Sequence, residues 1–177
     1  MARPARDRVV EAALDLFAEH GVSGTSLQMI ADHMGVTKAA VYHQFKTKED
    51  IVSAVIDPIL ERVIQVAEAA ALEATDQRRV RSALAGIVDL VVEHRRLAAI
   101  VQFDPVVTAL VQGHRAQASL EQIRALFTGP DPDPARLVGA AMVGGGLMMA
   151  GTDPALASLS DDDLRRHLVA SARRLLR

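Results

Sequence analysis

Side chains that can donate hydrogen bonds to nucleic acid are concentrated in one short stretch of the chain. All three lysines of the sequence fall between residues 38 and 48, and Tyr42 and His43 lie among them. Ammonium, phenol and imidazole groups can donate to phosphate oxygens, and a lysine can also donate to guanine O6 and N7. The stretch therefore predicts a DNA-contacting surface, although three lysines can also cluster by chance.

The residues just before this stretch predict a short helix that ends in a tight turn. Apolar side chains recur at spacings of three and four over residues 27–34, which gives one apolar face about two turns long. Thr25 and Gln28 fit a capping box at the start of this helix. Gly35 can adopt the positive φ that ends a helix, and Thr37 can cap the next one.

The second helix is predicted to present a polar outer face. Val41 and Phe45 lie four residues apart and should face the core. Their placement leaves an outer face made of Lys38, Ala39, Tyr42, His43 and Lys46. The small side chains of Ala39 and Ala40 allow close approach to base edges, and their methyl groups can touch thymine methyl groups.

Two helices joined by so short a turn form a helix-turn-helix, whose second helix enters the DNA major groove. The alternative is a helical hairpin that serves only packing. Such a hairpin does not require the cap, the turn, the exposed face and the lysine-led next helix together. We therefore favour DNA binding.

The segment TSLQMIADHMGVTKAAVYHQFKTKEDI, residues 25–51, resembles the DNA-binding signature of TetR-type transcriptional regulators. The resemblance covers roughly residues 4–56 and implies phosphate contacts from Thr25, Tyr42, His43 and Lys48, with base reading by residues 38–40. The sequence departs from the signature at Ala40, where a hydroxyl residue is frequent, and at Gln44, where a second tyrosine is frequent. The predicted DNA-binding residues are Thr25, Thr37, Lys38, Ala39, Ala40, Tyr42, His43 and Lys48.

Composition places the chain among intracellular helical proteins. Its 177 residues contain no cysteine, carry a net charge of −2 and include 50% hydrophobic residues, without lasting strand-like alternation. The N-terminus lacks the apolar run of a signal peptide, and the longest uncharged stretch, residues 137–151, is too short for a membrane span. We expect a cytoplasmic all-α protein without a membrane partner, and we interpret residues 137–151 as a buried helix.

The predicted architecture contains nine helices in two domains. The DNA-binding domain is expected at residues 1–47 and an effector-binding and dimerisation domain at residues 48–177. Helices are predicted near residues 4–20, 26–33, 37–44, 48–73, 77–93, 95–102, 105–127, 134–150 and 161–176. Asp-Pro pairs occur five times, and each can serve as a helix cap followed by proline. Pro58 should either kink the fourth helix or restart it from Asp57.

The last two helices are predicted to form a homodimer interface. Small residues at Gly144 and Gly145 allow close helix approach, and the final helix carries an apolar stripe. The stripe consists of Leu164, Leu168, Ala172 and Leu175. The family resemblance implies a four-helix interface between two subunits, and a two-fold dimer matches a palindromic operator in double-stranded DNA. Alternatively, both helices close the core of a monomer.

The C-terminal domain is expected to bind a small-molecule effector, as the resemblance implies. Candidate pocket residues are His94, Phe103, Gln112, His114, Phe127, Met142, Met148 and Met149, most of which would be ordinary core residues in other proteins. We interpret the chain as a repressor released by an apolar or amphipathic ligand, and not as an enzyme.

Two alternatives stay open at this point. One is a ligand-processing enzyme with an attached DNA-binding module, and the other is an effector-independent DNA-binding protein whose C-terminal domain is solid. Hydrolase, phosphate-loop, dinucleotide and zinc-protease motifs do not occur, and the six histidines show no metal-ligand spacing. No cofactor and no metal are predicted.

Overall fold

The computed structural model describes residues 4–95 and 104–176, and all regular structure in these ranges is helical, as predicted. The helices are α1 (Ala5–Gly24), α2 (Leu27–Met34), α3 (Lys38–Gln44), α4 (Lys48–Ala71), α5 (Asp76–Glu93), α6 (Pro105–Gly113), α7 (Gln117–Thr128), α8 (Pro134–Thr152) and α9 (Asp161–Leu175), with a 3-10 turn at Pro154–Leu156. The helix predicted at residues 95–102 lies almost entirely outside the described residues.

One hydrophobic core joins the N-terminal helices to the beginning of α4. It contains Phe17 of α1, Ile30 of α2 and Val41 of α3, each at most 2% exposed. Ile51 and the following apolar residues of α4 belong to the same core. Val107 of α6 is also fully buried in it. The first half of α4 therefore packs with α1, α2 and α3, and α6 contacts the same core directly.

The prediction of one continuous helix at residues 105–127 is wrong, because the chain forms two helices there, α6 and α7. Gly113 ends α6, and His114 follows with an extended backbone, φ −84° and ψ 147°. The His114 imidazole Nδ1 accepts a hydrogen bond from the backbone N–H of Ala116 at 3.0 Å. Glycine weakens the helix, and this side-chain acceptor replaces a helical carbonyl, so the turn competes successfully with continuation.

Pro58 lies inside a continuous α4, so the predicted restart at Asp57 is wrong. Proline lacks the N–H that would bond the carbonyl of Ala54, and both Asp57 and Pro58 are exposed to solvent. Solvent can satisfy a carbonyl on that side of the helix, whereas the opposite face stays anchored in the core. Three other Asp-Pro pairs act as predicted: the carboxylates of Asp104, Asp133 and Asp153 each cap a helical turn.

The prediction that α8 is a buried helix is wrong for one of its faces. Gly139, Ala140, Val143 and Leu147 are buried against the chain's own helices. The other face exposes Leu137, Val138, Met142 and Met149 by 42 to 57%. By length and composition alone, α8 is the one helix among the described residues that could cross a membrane, and 22% of its apolar window is buried.

Candidate nucleic-acid interface

The turn between α2 and α3 is built from local hydrogen bonds. Gly35 adopts the left-handed conformation, φ 65° and ψ 34°, and ends α2. The backbone N–H of Val36 then bonds the carbonyl of Ala31 at 3.0 Å, which completes the helix C-cap. Thr37 Oγ1 accepts from the N–H of Ala40 at 3.3 Å and begins α3. The predicted roles of Gly35 and Thr37 are confirmed, and three residues reverse the chain.

The predicted capping box at Thr25 is wrong, because Ser26 caps α2 instead. Ser26 Oγ accepts from the N–H of Met29, and Gln28 bonds Asp32 rather than the chain before the helix. Thr25 is 2% exposed, and its hydroxyl donates to the carbonyl of Gly21 at 2.8 Å. A buried hydroxyl that is already bonded to the backbone is a poor phosphate donor. The geometry therefore does not support the predicted phosphate contact of Thr25.

The outer face of α3 is exposed as its sequence pattern predicts. Val41 and Phe45 are 0% and 2% exposed and pack in the core. Residues 37–40 are exposed at the start of the helix, and Tyr42 is 50% exposed one turn further on. A helix with small residues in its exposed first turn can approach the floor of a major groove about 12 Å wide. The predicted base-reading residues 38–40 therefore lie where a groove-binding helix requires them.

Two contacts on this face orient phosphate-binding side chains. Lys46 Nζ, just beyond the end of α3, stands 5.0 Å from the centre of the Tyr42 ring. Gln44 Nε2 lies 3.2 Å from Nδ1 of His43. When the Gln44 amide nitrogen donates to Nδ1, the neutral ring carries its proton on Nε2, where it can donate to a phosphate.

Lys48 is placed differently from its predicted phosphate role. Its Nζ donates to the backbone carbonyl oxygens of Val22, Thr25 and Ser23 at 2.7, 3.1 and 3.4 Å. The ammonium thus binds carbonyl groups at the end of α1, where unpaired carbonyls carry partial negative charge. Three protons directed at three carbonyls leave no donor for a phosphate. Lys48 fastens the start of α4 to the junction of α1 and α2.

Charge around the interface is distributed along α1. Asp7, Glu11, Asp15 and Glu19 are spaced four apart along α1 and are all exposed, which makes them one solvated stripe. Asp15 lies 3.9 Å from His33 Nε2, which links the stripe to α2. The Arg6 guanidinium lies 4.5 Å over the Phe45 ring, beside the end of α3. Arg6 therefore adds a cation next to the recognition helix.

The geometry defines a helix-turn-helix protein whose second helix has an exposed, polar first turn. Residues 9–55 match the model of the bacterial regulatory proteins, tetR family. This part of the chain is similar to the DNA-binding domain of TetR-type regulators.

Sequence relatives match a part of the chain, whereas a solved structure matches nearly all of it. The HTH-type transcriptional regulator AcrR of Shigella flexneri is 46% identical over 52 residues, 29% of this chain and 24% of that protein. The HTH-type transcriptional repressor KstR2 of Mycolicibacterium smegmatis is 36% identical over 56 residues, 32% of this chain and 27% of that protein. The chain thus matches about a quarter of each relative's length. The structure of the ketosteroid transcriptional regulator KstR2 of Mycobacterium tuberculosis covers 97% of this chain and 94% of its own, with 18% identity and a TM-score of 0.76, so the whole chain has that fold.

The predicted pocket residues do not converge on one cavity. Met142 and Met149 are 56% and 49% exposed on α8, outside the core, and their assignment to a pocket stays a prediction. Their helix turns this apolar face outward because the opposite face fills the core. Gln112 is exposed, and His114 is occupied with its own turn. Phe127 and Met148 pack against buried core residues, and Phe103 lies outside the described residues.

His94 lines a cleft. The cleft has a volume of about 540 Å³ and lies between α1 and the end of α5, with Asp15, Arg95 and Asp161 on its walls. Arg95 pairs with Asp161 across this junction. No three His, Asp or Glu side chains in residues 4–95 and 104–176 gather into a metal site.

The predicted dimer residues separate into a buried and an exposed set. Leu164 and Ala172 are 1% and 4% exposed in the chain's own core, and their place at an interface between subunits stays a prediction. The α9 stripe packs on α5 and α8 of the same chain, and Leu168 is partly buried with it. Leu175 is 42% exposed. A side chain added at Gly144 or Gly145 would meet no atom within 4 Å, so both positions are open.

Proposed function

We propose that this chain is a sequence-specific DNA-binding transcriptional regulator. The observation that carries the proposal is the exposed first turn of α3, held by the Thr37 cap above a buried Val41 within a TetR-type domain. Lys38, Ala39 and Ala40 would contact base edges, and Tyr42 with His43 would contact phosphates. The net charge of −2 means that affinity rests on this local placement.

We further propose that the protein acts as a homodimer on a palindromic operator. The exposed apolar side of α8 supports this, because Leu137, Val138, Met142 and Met149 form one unpartnered face. Gly144 and Gly145 are open on the same helix and would allow the backbone of a second copy to approach. The two-fold symmetry of such a pair matches two half-sites about 34 to 36 Å apart.

The regulator is proposed to be a cytoplasmic repressor that a small apolar or amphipathic molecule releases, and not an enzyme. Support comes from relatives named as regulators or repressors and from the contact of α6 with the DNA-binding core. A ligand bound among the C-terminal helices could act through α6 and α4. It would work only through its different affinities for the DNA-bound and released states.

Selection of bound sequences from random DNA with the purified protein tests the first proposal. The expected outcome is a palindromic motif. The logarithm of the protein's affinity for it should fall linearly with the logarithm of salt concentration. Enrichment of no motif would contradict sequence-specific binding. Screening small molecules for release of the selected DNA then tests the effector, and product analysis of any releasing compound separates a sensor from an enzyme. An effector-independent protein would keep its DNA with every compound.

A further inference from the structure

The end of the molecule opposite the recognition helix carries an excess of positive charge. The 24 residues of α4 span about 36 Å at about 1.5 Å per residue, and α5 begins just beyond the far end. Helix α9 runs antiparallel to α5, since Arg165 bonds Asp89 near one end and Arg173 lies beside Arg81 near the other. Five arginines meet there, Arg78, Arg79, Arg81, Arg173 and Arg174, against Glu73 and Asp76.

Of these five arginines, only Arg79 has an ion pair within the described residues. Arg79 pairs with Asp76 at 3.1 Å, and Arg165 pairs with Asp89 at 3.0 Å. Arg81 and Arg173 form no ion pair with any residue in the described ranges. They stand on opposite walls of one cleft, so their like charges repel each other. The partial positive charge at the N-terminus of α5 is offset by the partial negative charge at the C-terminus of α9, which ends at the same cleft, so the two guanidinium groups supply the positive charge of the site.

The cleft between α5 and α9 has a polar rim and an apolar floor. Its volume is about 280 Å³, and it is lined by Gln77, Val80, Arg81, Leu84, Arg173 and Leu176. Leu84 is 1% exposed and forms the floor, and Val80 and Leu176 are partly buried beside it. This volume lies near the lower limit of typical ligand pockets, about 300 Å³, so a small molecule is the occupant that fits.

We propose that this cleft binds a small amphipathic oxyanion, either a carboxylate or a phosphate monoester on a short apolar chain. The anionic group would accept hydrogen bonds from the guanidinium groups of Arg81 and Arg173, which present paired donors suited to oxyanions. The apolar chain would lie on Val80, Leu84 and Leu176. The site is remote from α3, and the proposal does not depend on DNA binding.

Isothermal titration calorimetry with defined probes tests the site. Octanoate and octyl phosphate supply the two oxyanions, octanol supplies the chain without charge, and inorganic phosphate supplies the charge without a chain. At least one of the amphipathic anions should bind more tightly than octanol and inorganic phosphate. Arg81→Gln and Arg173→Gln should each weaken that binding about tenfold, because each removes one charge-assisted interaction. Arg81→Glu should abolish binding, since the new carboxylate would pair with Arg173 and occupy the position of the ligand's anionic group.

Arg124→Gln is the matched control, because Arg124 is an exposed arginine on α7 without an ion pair in the described ranges. It should bind the probes as the wild type does, and circular dichroism should show unchanged folding of all variants. Equal affinity of wild type, Arg81→Gln and Arg173→Gln would overturn the proposal by placing the ligand elsewhere. Equal binding of octanol and octanoate would overturn the role of the arginines, and absence of binding at millimolar concentration would overturn the site.

Discussion

Lys48 joins the start of α4 to the end of α1, and its replacement separates a structural role from a DNA-binding role. Lys48→Met keeps the length of the side chain and removes the hydrogen bonds to Val22, Ser23 and Thr25. A hydrogen bond to a charged group contributes about 1.5 to 3 kcal/mol, and the ammonium is partly exposed, so the lower part of that range applies. We expect a loss of about 2 kcal/mol in the free energy of unfolding.

Urea denaturation followed by circular dichroism, at one fixed protein concentration, measures this loss. For a chain of this length, about 2 kcal/mol should also lower the midpoint of thermal unfolding by about 4 to 8 °C. Operator affinity should fall as well, because the α1–α2 junction loosens, but the salt dependence of binding should keep its slope. Lys46→Met is the matched control: it removes an exposed lysine near the same helix and should leave stability unchanged.

The opposite result would refute this reasoning. If Lys48→Met unfolds at the same urea concentration as the wild type, the carbonyl contacts contribute nothing to stability. If its operator affinity also falls with a salt slope reduced by about one unit, Lys48 contacts a phosphate, as the family resemblance implied.

Three further substitutions test the interface, the dimer and the switch. Lys38→Ala should change the preferred base at one position by about 1 to 3 kcal/mol, whereas Tyr42→Phe should weaken all sites alike, as competition binding to operator variants measures. Gly144→Leu or Gly145→Leu should dissociate the dimer in sedimentation experiments, because the added side chain occupies space that is open in one subunit and needed by the other. Pro58→Ala restores a helical hydrogen bond in α4, and we expect a smaller ligand-dependent shift in operator affinity with DNA and ligand binding each nearly unchanged.

Each of these expectations has a contradicting outcome. If Lys38→Ala discriminates between operator and scrambled DNA as the wild type does, α3 is not the helix that reads the bases. An unchanged dimer in both glycine variants would place the interface elsewhere. Gly139→Ala is the control for the glycines: a methyl group there would lie 2.5 Å from the carbonyl oxygen of Leu175, so it should destabilise the subunit itself. If the ligand shifts operator affinity equally in wild type and Pro58→Ala, Pro58 does not contribute to ligand-induced release of DNA.

The recognition unit could be predicted because its chemistry is local. The caps at Gly35 and Thr37 join residues at most five apart, and the helix period alone places Val41 and Phe45 on the inner face of α3. Thr25 and Ser26 show the limit of this approach. Both carry a hydroxyl suited to a cap, and the positive φ of Gly21 accompanies the turn that buries Thr25 and leaves Ser26 outside.

The sequence by itself determined the helical class, the short turn and the exposed face of α3, since these follow from periodicity and caps. Only the tertiary structure decided which partner each apolar or charged face meets. By its sequence, the apolar stripe of α9 could pack either in the core of its own chain or against a second subunit. In the structure Leu164 of this stripe is buried within the chain. Lys48 reaches carbonyl groups 23 to 26 residues away in the sequence. Residues that distant become neighbours through packing, and no spacing along the chain encodes that choice.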